Sequence, residues 1–206
     1  MIALIFHLVE IVSHWALEII NQSGYWGIFL LSALESSAIP IPSEVVVPFA
    51  GFLAEQGRFT LWNVVLVATF ANLIGGLILY FISRSGGRWF LEKFGRFLFI
   101  NSQDLKKADE LFEKYGPKFV FVGRMLPIVR TFISIPAGVA SMRIDKFIFY
   151  SIAGSLPWNF ILAYVGFKAG ENWPIVGSYL HKFDFAIVIL VVVFVAWYIY
   201  NHLKKK

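Results

Sequence analysis

Cysteine is absent from the 206 residues, which excludes disulfide bridges and thiolate chemistry and leaves the redox compartment open. Charge is also scarce: 15% of residues are charged, against about 25% in an ordinary soluble domain. Acidic residues are the rarer sign, 13 against 18 basic ones, for a formal net charge of +5. The four histidines, His7, His14, His181 and His202, are scattered, so no metal-ligand cluster can be read from them. No Lys or Arg precedes the first apolar residues, and a cleaved signal peptide of the usual kind is not expected. What is abundant is apolar: 58% of the chain, with a mean hydropathy of +0.71. A soluble domain is thereby excluded, and a polytopic membrane protein is indicated. The basic excess then belongs to membrane topology rather than to nucleic-acid binding.

Two apolar stretches are interrupted in the same way. Gly123 to Gly138 carries two arginines six residues apart, Arg124 and Arg130, and two prolines, Pro127 and Pro136. Glu35 to Gly51 carries the carboxylates Glu35 and Glu44 and the prolines Pro40, Pro42 and Pro48. Proline breaks or kinks a helix, and non-helical backbone at membrane depth must be buried in protein or line a cavity. Both stretches therefore read as re-entrant hairpins, about 35–56 and about 124–141. A shift of 87 residues lays Pro40 on Pro127, Ala50-Gly51 on Ala137-Gly138 and Asn72 on Asn159. It also lays Trp62 on Phe149 and Tyr80 on Phe167, so an internal repeat is expected, 25–82 and 119–168.

The whole chain, 1–206, is read as a single integral membrane domain. Residues 1–22 form an amphipathic N-terminal helix with His7, Glu10, His14 and Glu18 on one face, a wet polar face rather than a metal site. Leu61 to Ile82 is long enough to span, and 83–118 is a charged segment with a helix from about 103 to 115. Ile144 to Lys168 spans again, with a kink expected at Pro157, and 183–203 is the C-terminal span. One crossing between the hairpins makes them enter from opposite faces, an inverted repeat. The side holding Arg84, Arg88, Arg96, Arg143 and most of the lysines is then cytoplasmic, and the C-terminus with it.

Opposed hairpin tips would bring Glu35 and Glu44 to Arg124 and Arg130. One reading is purely structural, ion pairs that pin the hairpins together. The reading favoured here is functional, because ionisable residues at membrane depth mark substrate or proton pathways. Paired guanidiniums offer forked donors to phosphate oxygens. Burial opposes a carboxylate's charge and arginines favour it, so a glutamate balanced between the two would exchange a proton. Thr131 and Ser134 would satisfy broken backbone, and Asn72 and Asn159 would tie hairpins to spans.

These residues resemble the motifs of the DedA family, in the SNARE-associated Golgi or VTT-domain superfamily. The first match is Glu35-x4-Pro40-x-Pro42-x-Glu44 with Ala50-Gly51; the second is Gly123-Arg124-x2-Pro127-x2-Arg130 with Ala137-Gly138. Ser43 stands where many relatives have glycine. The resemblance covers nearly the whole chain. It implies an all-α fold with opposed re-entrant hairpins and a flippase or scramblase for undecaprenyl phosphate or a phospholipid in the cytoplasmic membrane, dependent on proton motive force. Arg124 and Arg130 would bind substrate, and Glu35 and Glu44 would couple protons. Asn72, Asn159, Pro40, Pro42 and Pro127 would support them. No cofactor or metal is implied; the partners are a lipid and the bilayer, and oligomerisation is compatible. The alternatives are a lipid phosphatase-like enzyme and a structural envelope protein. No K-x6-R-P or P-S-G-H phosphatase pattern is present.

Overall fold

The computed structural model describes residues 15–39, 41, 43–87, 115–127 and 129–170. Most of the amphipathic segment 1–22, the expected helix at 103–115, Pro40, Pro42, Arg88, Arg96 and the expected span 183–203 lie outside the described residues. Every element among the described residues is helical. Helix α1 covers residues 15–23 and stops at Gly24, whose φ of 62° lets the chain turn directly into α2, Tyr25–Ser36. Then follow α3, Ser43–Glu55, and α4, Leu61–Ile82, which runs into a wide turn at Ser83–Gly87. The second half holds α5, Lys118–Arg124, α6, Val129–Phe132, α7, Ser134–Val139, and α8, Ile144–Ala169.

The helix ends are closed locally. After α2, the Ile39 N–H donates to Leu34 O and the Ala38 N–H to Glu35 O, with Ala38 left-handed at φ 68°. This is the paired closure usually made by glycine, and it uses carbonyls that the helix leaves orphaned. The same pair of bonds closes α3 around Gly57 and α7 around Ser141. The serine hydroxyl of Ser37 turns back onto Ala33 O at 2.9 Å, which finishes the stop. Helix α8 runs through Pro157 as one uninterrupted helix, so the expected proline kink does not break it.

Leu61–Gly86 and Ile144–Ala169, 26 residues each, are long and apolar enough to cross a bilayer. They cross one another, and around them the shorter helices are exchanged. Helix α2 packs on α4 while α3 packs on α8; α5 packs on α8 while α7 packs on α4. Small residues make these crossings close, as between helices in lipid. A Cβ at Gly166 would collide with the Pro48 carbonyl, and one at Gly51 with the Ala163 carbonyl, so α3 and α8 touch backbone to backbone. Trp26, Trp62, Phe70 and Phe149 lie exposed on the outside, as lipid-facing residues should.

Leucine at Gly166 must displace α3, because the obstacle is backbone and has no rotamer to escape into. Gly166→Leu is expected to cost about 1–3 kcal/mol, read as a lowered melting temperature of the purified protein in detergent.

Candidate functional site

Where the spans cross, three charged side chains are buried together. Glu35 comes from the last turn of α2, Arg124 from the end of α5 and Arg130 from α6; they are 5%, 2% and 4% exposed. Arg130 Nη2 donates to both carboxylate oxygens of Glu35, at 2.6 and 2.7 Å, and Nε donates to Oε1 at 3.2 Å. The Thr131 hydroxyl stands 3.5 Å from the same oxygen. The guanidinium of Arg130 also lies 5.8 Å from the ring centre of Trp158.

Arg124 is held differently. Its Nη1 donates to the main-chain carbonyl of Arg130 at 3.0 Å and its Nη2 to Ser134 Oγ at 3.1 Å. Its guanidinium lies 5.9 Å from the Phe147 ring centre, and its Nε has no hydrogen-bond partner. No ion pair engages Arg124 among the described residues. The cluster is thus two guanidiniums and one carboxylate, with one net positive charge. Both faces of the Arg124 seat come from glycine: a Cβ at Gly76 of α4 would strike Nη2, and one at Gly154 of α8 would stand 2.7 Å from the Arg124 Cβ.

Opposed hairpin tips were expected to bring both glutamates to the arginines; the structure brings Glu35 to Arg130 and places Glu44 half-buried on the first turn of α3. Pro127 occupies the break between α5 and α6, its carbonyl accepting the Val129 N–H at 2.6 Å. Asn72 and Asn159 were expected to tie hairpins to spans. Instead they join span to span: Asn72 Nδ2 donates to Asn159 Oδ1 at 3.4 Å, and Asn159 Nδ2 to Thr69 Oγ1 at 3.1 Å. Their separation of 87 residues equals the offset of the sequence repeat. Sequence reasoning missed Trp158, Phe147 and Gly76 as parts of the site. The Gly75-Gly76 pair inside a spanning helix is the signal that would have found the last of these.

Fold and site together define an all-helical membrane protein with a buried arginine–glutamate cluster at the crossing of two spans. The VTT domain model matches residues 41–168. The chain is 42% identical to the uncharacterized membrane protein YkoX of Bacillus subtilis over 96% of this chain and 87% of that one. It is 32% identical to an alkaline phosphatase-like protein of Lactococcus lactis, over 92% of this chain and 91% of that one. It is 33% identical to undecaprenyl phosphate transporter A of Staphylococcus aureus, over 92% of this chain and 95% of that one. No solved structure matches the chain. The chain belongs to the VTT-domain family, the superfamily of the DedA proteins that its motifs resemble.

Removing one member of a buried pair strands the other. Glu35→Leu is therefore expected to cost about 3–5 kcal/mol and Glu35→Leu with Arg130→Leu far less, measured by thermal unfolding of each variant in one detergent.

Proposed function

We propose that the chain moves a phosphate-bearing lipid, undecaprenyl phosphate or a phospholipid, across the cytoplasmic membrane as a flippase or scramblase coupled to protons. The observation that carries this reading is the charge of the buried cluster. Arg130 takes the one carboxylate of the cluster, so the Arg124 charge is left for an anion to neutralise. A lipid phosphate matches that charge, and its oxygens suit the forked donors of arginine. The name of the Staphylococcus aureus relative supports the same substrate class.

Coupling rests on Glu35. Its two oxygens are both engaged by Arg130, so a proton delivered to the carboxylate would weaken that grip and free Arg130 for the phosphate. Loss of the proton would restore the pair and expel the lipid. Glu44 is the second carboxylate in this scheme. Pro127 lies at the break between the helices that carry the arginines, Pro40 and Pro42 take the corresponding supporting role in the sequence motif, and Asn72 with Asn159 holds the spans in register. The opposed re-entrant hairpins of an inverted repeat are supported by the exchanged packing. The 87-residue shift turns α2 on α4 into α5 on α8, and α3 on α8 into α7 on α4. A cytoplasmic C-terminus is supported by the concentration of basic residues on the side of Arg84 and Arg143, through the positive-inside rule.

A phosphatase reading has the name of the Lactococcus lactis relative in its favour. The chemistry of the cluster favours transport: its carboxylate is committed to Arg130, and the chain offers no cysteine nucleophile.

Two measurements test the proposal. In liposomes with fluorescent lipid, Arg124→Lys and Arg130→Lys should lose at least tenfold in transport, about the worth of one charge-assisted hydrogen bond, because lysine lacks the fork. Glu35→Gln keeps an acceptor for Arg130; it should fold, lose transport driven by a pH gradient and retain exchange without one. Full transport by both lysine variants, or gradient-driven transport by Glu35→Gln, would overturn the respective claim. For the topology, cysteines placed at the exposed Gln56 and Ser141 should react with impermeant reagent from opposite sides of the membrane. Labelling of both from one side would sink the inverted repeat.

A further inference from the structure

Both arginines lie along one stripe of α8. Phe147, Ser151, Gly154 and Trp158 are spaced four, three and four residues apart, which keeps them within about 60° of one another around the helix. The Arg124 guanidinium lies over Phe147 and its Cβ over Gly154; the Arg130 guanidinium lies over Trp158. Ser151 falls between Phe147 and Gly154 on this stripe.

Three buried polar atoms at this stripe have no hydrogen-bond partner: Arg124 Nε, Ser151 Oγ and Trp158 Nε1. Arg124 and Ser151 are 2% and 1% exposed, so bulk water does not satisfy them. A buried donor left alone is expensive, and three along one line beside a net positive charge call for a common explanation. Each can donate: an N–H from the guanidinium, an O–H from the serine and an N–H from the indole. The stripe thus holds unmet donors beside a cationic cluster, and hydrogen bonds with positive charge are what the oxygens of a phosphate require.

We infer that Ser151 and Trp158 are substrate-binding residues, donating hydrogen bonds to the oxygens of a lipid-borne phosphate whose charge is held by Arg124. This rests on the anion-site reading above and adds the wall of the site that carries no charge. The phosphate belongs to a lipid rather than to a free ion because of where Trp158 stands. It is half-buried, while Ile152 and Ile161, nearby on the same helix, are exposed at 37% and 50%. The indole N–H itself is buried, so a headgroup that enters to meet it leaves its chain among the apolar side chains of that side, as suits an aromatic ring with one polar atom.

The test uses the purified full chain in detergent, with binding titrated by ligand-induced rise in melting temperature. The probes are undecaprenyl phosphate, undecaprenol as its uncharged counterpart, and inorganic phosphate. Trp158→Phe keeps the ring beneath Arg130 and removes the N–H alone; Ser151→Ala removes only the hydroxyl. Each should bind undecaprenyl phosphate about tenfold more weakly, the scale of a hydrogen bond to a charged group. Binding of undecaprenol should be unchanged, and the melting temperature without ligand close to that of the unaltered chain. If both variants bind the phosphate lipid as the unaltered chain does, the stripe is not part of the site and the inference falls. Inorganic phosphate bound as tightly as the lipid would overturn the lipid-borne assignment. An unaltered chain that does not distinguish undecaprenyl phosphate from undecaprenol would instead refute the anion-site reading itself. Should Trp158→Phe prove unstable, Ser151→Ala decides alone.

Discussion

A guanidinium taken out of water is among the costliest groups a protein can bury, and the packing of the two spans is built around two of them. Arg130 is neutralised by Glu35. Arg124 has only neutral acceptors and an aromatic face, yet it is one of the largest fully buried side chains in the described structure. Gly76 and Gly154 open the volume for it, and Ser134 turns a hydroxyl toward it. Isosteric apolar residues would fill that volume more cheaply, so the charge is retained against a stability cost.

The broken helices follow from the same constraint. In a continuous helix each main-chain carbonyl already accepts the N–H four residues on and points along the axis, poorly placed for a long side chain from another segment. Helix α6 is four residues long, and the carbonyl of Arg130 is available to Arg124 because the chain bends there. Pro127 and Pro136 are therefore more than interruptions. By limiting each helical segment to a few residues they expose polar backbone, which the arginines use and the fold then buries.

Much of this was legible in the chain. Leu61–Ile82 is a helix where its apolar length had placed a span, and the approach of Glu35 to an arginine 95 residues away followed from charge and the opposed hairpins. Which arginine Glu35 would choose was not legible, because both sit in equivalent apolar surroundings and only the bend at α6 distinguishes them. The partners of the asparagines were misassigned for a related reason. Spans and hairpins are alike in composition, and only packing shows that positions 72 and 159 meet each other. Trp158 and Ser151 were hidden among the 18% aromatic residues and the many serines of the chain, where position on a helix face, not residue type, carries the meaning.

The exchanged packing has a mechanical consequence. Helix α3 belongs to the first half of the chain yet lies backbone to backbone on α8, and α7 of the second half lies on α4. Each half therefore clasps a span of the other, like two interlocked hooks. A rocking of one half against the other as rigid blocks would have to prise apart both clasps at once. It would strip glycine-lined contacts that have no looser arrangement to adopt. The cheaper motion leaves the two spans locked and moves the short pieces, α5 to α7 and the bend after α2. For the transport proposed above, the broken helix would then serve as the gate while the scaffold stands still around it.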